Sequence, residues 1–162
     1  MNGMTEQAPA IVLERDVDAP VEAVWEMWTD PQHFAAWYGP TGSTITVVEF
    51  DVRPGGTRTI RMDVPTPDGP RSMWFSGTYL DVVPHERLAY TEFISDERGE
   101  AVSTPGGPND PTEVRVEFRG DGERTALVLT HLGVPAGSPG ETGWRMALDA
   151  LDARLRGERA SR

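Results

Sequence analysis

Apolar and polar residues alternate along most of this chain, and two stretches, one near each end, break the rhythm with a helical period. The segment from Ile11 to Val17 predicts a strand with Ile11, Leu13, Arg15 and Val17 on one face. Asp18-Ala19-Pro20 reads as a helix start, because Asp can cap orphan amides and Pro fits the first turn. Val21, Val24, Trp25 and Trp28 then recur at helical spacing. Asp30-Pro31 ends that helix and opens a short second one, from which Phe34 and Trp37 face inward. From Thr44 onward the period is two. Thr46, Val48, Phe50 and Val52 share one face, and Gly55-Gly56 supplies a turn. Arg58, Ile60, Met62 and Val64 follow in phase on the next strand. Met73, Phe75, Gly77 and Tyr79 share parity on a long strand reaching Val83. Gly77 predicts either a bulge, which would switch the inward set to Leu80 and Val82, or a close approach by another backbone.

After the turn Pro84 to Arg87, a strand runs from Leu88 to Ile94. Residues 95–111 form the one long irregular segment, rich in Gly, Pro, Ser and acids, and together with the Trp37–Pro40 turn it is a candidate entrance or lid. Alternation resumes with Val114, Val116 and Phe118, then Thr125, Leu127, Leu129 and His131. The chain closes on a helix whose apolar stripe is Trp144, Leu148, Leu151 and Leu155.

This order predicts an α+β helix-grip fold: a curved antiparallel sheet of six or seven strands wrapped around a long C-terminal helix, with two short helices after the first strand. One helix cannot fill the concavity of such a sheet, so a cavity is expected between them. The expected boundaries are a disordered N-terminus over 1–9, one domain over 10–157 and a polar tail over 158–162.

Composition narrows the chemistry. At 162 residues, the chain is sized for one domain. Its net charge of −11 disfavours nucleic acid or an anionic membrane as a partner. The absence of cysteine excludes disulfides, thiolate metal sites and a cysteine nucleophile. No apolar run is long enough for a membrane span, and the first residues lack the order of a secretory signal, so a cytoplasmic location is expected. No His/acid spacing suits a metal, and Arg53-Pro54-Gly55-Gly56 lacks the Lys-Ser/Thr of a nucleotide loop, so no cofactor is expected.

Several motifs carry a resemblance in chain order: Asp18 to Trp25, Thr29-Asp30-Pro31, Trp37-Tyr38-Gly39-Pro40, Phe50 to Gly56, Gly77 to Leu88, Thr125 to His131, and Gly143-Trp144. Over roughly residues 11–155 the sequence resembles the START-like (SRPBCC) superfamily, and within it the homologue family of activators of the heat-shock-protein-ninety ATPase. The resemblance implies a helix-grip fold and a ligand-binding role. The named activators carry a separate N-terminal domain; strand one begins here around residue 10, which argues against a chaperone partner.

Three functions are compatible with the residues. The first is binding of an apolar or amphipathic small molecule between sheet and C-terminal helix, in a monomer or homodimer. Its candidate ligand-binding residues are Trp28, Trp37, Tyr38, Met62, Met73, Phe75, Tyr79, Tyr90, Phe118, His131, Trp144 and Leu148. Aromatic and methionine walls with a few polar groups suit such a pocket. The second is an enzyme of cyclase, dehydratase or hydrolase type acting on a pocket-bound carbonyl compound, with His131 or Glu92 as acid or base and Glu92 or Asp63 as partner of the histidine. The third is a chaperone-binding module.

Overall fold

The computed structural model describes residues 9–102 and 110–160. Its elements are β1 (Ala10–Val17), α1 (Val21–Thr29), α2 (Pro31–Ala35), β2 (Thr44–Phe50), β3 (Thr57–Val64), β4 (Arg71–Val83), β5 (Arg87–Ser95), β6 (Thr112–Asp121), β7 (Arg124–Leu132) and α3 (Pro139–Ala160). The seven strands form one antiparallel sheet in the order β1-β7-β6-β5-β4-β3-β2. Strands β2 to β7 are thus a meander, and β1 adds to its far edge. The chain must return from β1 to the opposite edge, and α1 and α2 make that crossing over the face that α3 also covers. This is the helix-grip fold expected from the sequence. The expected disorder of 1–9 falls, but for Pro9, outside the described residues. Helix α3 continues to Ala160, into the stretch expected to be a polar tail.

Local chemistry accounts for the element ends. Asp30 Oδ1 accepts from the amides of Gln32 and His33 at 3.0 and 3.1 Å, capping α2 as expected. For α1 the expected cap is corrected: Pro20, not Asp18, holds the N-cap position, and no side chain caps the helix. Ahead of α3, Glu141 Oε1 accepts from the Gly137 amide at 3.0 Å, satisfying a donor just outside the first turn.

The inward faces match the alternation on β1, β3, β6 and β7 and depart from it at two bulges. On β2 an extra residue at Val48 shifts the register against β3, so Ile45 and Val47 turn inward before it and Phe50 after it. Thr46 and Val48, expected to share the face of Phe50, are exposed. On β4 the bulge falls at Leu80, which is 46% exposed, while Val82 packs on the core as expected. Gly77 is instead a close approach: a Cβ there would lie 1.8 Å from the Thr91 carbonyl oxygen. The core joins Ile11, Leu13 and Val17 of β1, the α1 residues Val24, Met27 and Trp28, and the α3 stripe Trp144, Leu148, Leu151 and Leu155. Ala147 extends that stripe by filling the turn between Trp144 and Leu151.

Candidate functional site

Between the Tyr38-Gly39-Pro40 turn, the sheet and the first turns of α3 lies a cavity of about 190 Å³. The sheet supplies Met62 from β3, Phe75 from β4 and Glu92 from β5; the helix supplies Gly140, Gly143, Trp144 and Ala147. Its walls are therefore apolar and aromatic with one carboxylate, the composition of a small-molecule site.

Strand register explains how that carboxylate is held. Arg58 on β3 pairs with Gly77 on β4, and the pairing of Ser76 with Phe93 and of Tyr79 with Tyr90 sets Gly77 beside Glu92 on β5. Arg58 thus reaches past Gly77, across one strand, to Glu92. Its Nη1 donates to Glu92 Oε2 at 3.1 Å, with the arginine side chain 1% and the glutamate 11% exposed. The guanidinium lies 3.8 Å from the Tyr90 ring centroid and 5.2 Å from that of Phe50. Cation–π attraction and the ion pair together compensate a cation removed from water. Burial pulls the Arg58 pKa down, but the neighbouring Tyr90 and Glu92 outweigh it and hold it above its ordinary value.

Two groups that line the cavity, the Tyr38 hydroxyl and the Glu92 carboxylate, converge with the buried Tyr90 hydroxyl behind them. The Tyr38 hydroxyl donates to Glu92 Oε2 at 3.4 Å and lies 3.2 Å from the Tyr90 hydroxyl. Since the one Tyr38 proton goes to the carboxylate, Tyr90 donates to Tyr38. Burial, then the charge of Glu92, raises the Tyr38 pKa well above the usual phenol value; burial also raises that of Tyr90. Both rings are therefore neutral donors throughout the physiological range.

His131 stands one layer behind. The Trp144 indole N–H, which can only donate, reaches His131 Nδ1 at 2.9 Å. That places the imidazole proton on Nε2, which donates to Thr112 Oγ1 at 2.8 Å; the threonine in turn donates to the Glu92 carbonyl at 3.2 Å. Burial lowers the His131 pKa, against an opposing pull from Glu92. Both ring nitrogens are engaged away from the cavity, so in this arrangement His131 positions Trp144 and has no free lone pair for acid–base work. Asp63, read from sequence as a possible partner, instead accepts from Arg61 and Ser72 on the exposed side of β3.

Of the predicted ligand-binding residues, Tyr38, Met62, Phe75 and Trp144 line the cavity. The others do not, each for a packing reason. Trp37 is pinned in the core by its Nε1 donating to the Met27 carbonyl at 2.7 Å, and Trp28 stacks on Trp144 from the core side. Tyr79 and Tyr90 lie beneath the Arg58 guanidinium. Phe118 packs edge-on against Trp25, Leu148 is buried in the α3 stripe, and Met73 faces Met62 across the β3–β4 pair. The sequence reading named the Trp37–Pro40 turn as a candidate entrance, and its Gly39 and Pro40 line the cavity; it missed Arg58, Gly140, Gly143 and Ala147. Arg58 alone left a usable signal: an arginine in phase with Ile60 and Met62 on an inward face demands a buried anion.

The fold and cavity define a START-like helix-grip domain with a small internal site. The chain belongs to the family described as Activator of Hsp90 ATPase homolog 1-like protein, whose sequence profile matches residues 18–156. Among solved structures it is similar to a Chromobacterium violaceum protein (27% identity, TM-score 0.75, covering 91% of this chain and 97% of that one). It is also similar to an Arthrobacter aurescens protein (23%, TM-score 0.78, 93% and 87%) and to the AHSA1 protein from Silicibacter pomeroyi (22%, TM-score 0.71, 92% and 99%). Among curated proteins none matches the sequence. Family and fold support a ligand-binding domain in general terms. Among the described residues no helix is long and apolar enough to cross a membrane.

Proposed function

We propose that the domain binds a compact apolar or amphipathic molecule in the cavity between the Tyr38–Pro40 turn, the sheet and α3. The observation that carries this reading is the composition of the cavity: Met62, Phe75, Trp144 and Ala147 surround a single carboxylate that buried Arg58 keeps in place. A site devoted only to packing has no need of an ion pair at its floor, which costs desolvation that apolar residues would avoid. Size bounds the ligand. About 190 Å³ exceeds the roughly 150 Å³ cavity known to take benzene and falls below the roughly 300–1,000 Å³ of drug-sized sites. The enclosed part of the ligand is therefore of single-ring or short-chain size.

The test is binding of a small-ring library to the wild-type chain and to Ala147→Leu, which fills the cavity from the helix side. Ligands should raise the wild-type melting temperature, since a ligand at 100 times its Kd stabilises by about 2.7 kcal/mol. The Ala147→Leu chain should show little or no shift. Equal shifts in both proteins would place binding elsewhere and defeat the proposal.

A further inference from the structure

The hydrogen-bonding inventory of the side chains that line the cavity is one-sided, and this selects among ligands. Only Tyr38 and Trp144 among its lining side chains carry donors. The Tyr38 proton is committed to Glu92 Oε2, and the indole proton of Trp144 to His131 Nδ1. A carbonyl or carboxylate in the cavity thus finds no free side-chain donor. Acceptor capacity, by contrast, is left over. Glu92 Oε2 receives both Arg58 and Tyr38, while Glu92 Oε1 has no partner among the described residues.

Charge decides what kind of donor suits that oxygen. The net charge of −11 would gather cations near the protein. At the site itself, however, the anion is already neutralised by a guanidinium 3.1 Å away. An ammonium on Oε1 would sit roughly 5 Å from that guanidinium, given ordinary hydrogen-bond lengths, in a poorly screened interior. It would be desolvated for a partner whose charge is already compensated. An uncharged O–H gives up less hydration and meets no repulsion. Ring walls complete the selection: Tyr38 and Trp144 stand edge to face with centroids 5.4 Å apart, and Phe75 faces them from β4.

The geometry points to a neutral hydroxyl compound of single-ring size as the ligand class, its O–H donated to Glu92 Oε1 and its ring seated among Tyr38, Phe75 and Trp144. This rests on the reading of the cavity as a binding site and adds the ligand's polar group to it.

Four probes of nearly equal size test it on the full chain by calorimetry at neutral pH: toluene, benzyl alcohol, benzylammonium and benzoate. Benzyl alcohol should bind at least as tightly as toluene despite its costlier desolvation, and benzylammonium and benzoate at least tenfold more weakly than benzyl alcohol. Glu92→Gln should weaken benzyl alcohol about tenfold, equivalent to about 1.4 kcal/mol, and leave toluene within about threefold. The wild-type series decides the matter if that variant does not fold. Tighter binding of benzylammonium or benzoate than of the alcohol overturns the inference. Toluene binding well ahead of the alcohol overturns it while leaving the cavity reading intact. Failure of all four probes to bind overturns both.

Discussion

A buried arginine facing a buried glutamate is a fragile arrangement at the level of single side chains. Arg58 and Glu92 compensate one another, so removing one partner leaves an uncompensated charge away from water. Glu92→Ala should therefore cost about 3–5 kcal/mol of folding stability, read as a shift of the urea midpoint at constant slope. Replacing both, as in Arg58→Met with Glu92→Leu, should cost far less or stabilise the fold, while abolishing whatever polar anchoring the cavity provides. If the double variant were as unstable as Glu92→Ala, the pair would hold the sheet together in its own right, and its presence at the cavity floor would need no function. At this scale the sequence was partly legible. Parity placed Glu92 with Leu88 and Tyr90, and Arg58 with Ile60 and Met62, on inward faces. What parity cannot show is that the two meet, because that depends on the register of three successive strands, which brings together residues 34 positions apart.

Between those strands sits Gly77, and the behaviour of β4 turns on it. Its Cα approaches β5 so closely that a methyl group would overlap the Thr91 carbonyl. Gly77→Ala should thus force the β4–β5 pair apart and destabilise the protein by about 2–4 kcal/mol, as strain and lost ladder hydrogen bonds combine. Thermal unfolding checks this, and hydrogen exchange should show protection lost first at the amides of β4 and β5 near Thr78 and Thr91. A change below about 0.5 kcal/mol would show that the sheet yields there. Strands and helices were otherwise largely readable, because amphipathic periods and turn residues are local signals. Bulges are not: the extra residues at Val48 and Leu80 reverse parity without any glycine or proline to announce them. The glycine that did suggest a bulge serves close packing instead.

For the whole molecule, the joint between α3 and the sheet matters most, since the cavity lies in it. Part of that joint is the bond from Trp144 on α3 to His131 on β7, which requires a neutral imidazole. Burial holds the His131 pKa below its ordinary value of about 6.5, so the folded state disfavours the proton. The stability contributed by the neutral ring is accordingly complete above about pH 6.5 and is lost as pH falls below that and through the lowered folded value. Wild type should lose stability relative to His131→Phe between pH 7 and pH 5, a comparison in which the titration of the carboxylates cancels. A constant difference across that range would mean that folding leaves the histidine's affinity for a proton unchanged. The cavity as a whole was foreseeable from the mismatch between one helix and seven strands. Its lining was not, because the small residues Gly143 and Ala147 leave space by what they lack.

One indole thereby faces the proposed binding cavity in front and a titrating ring behind. A guest that presses Trp144 toward β7 makes protonation harder, and by reciprocity acid loosens the guest by the same factor. Acidification through the lowered His131 value would then weaken the proposed guest's binding by the factor by which that guest hinders protonation.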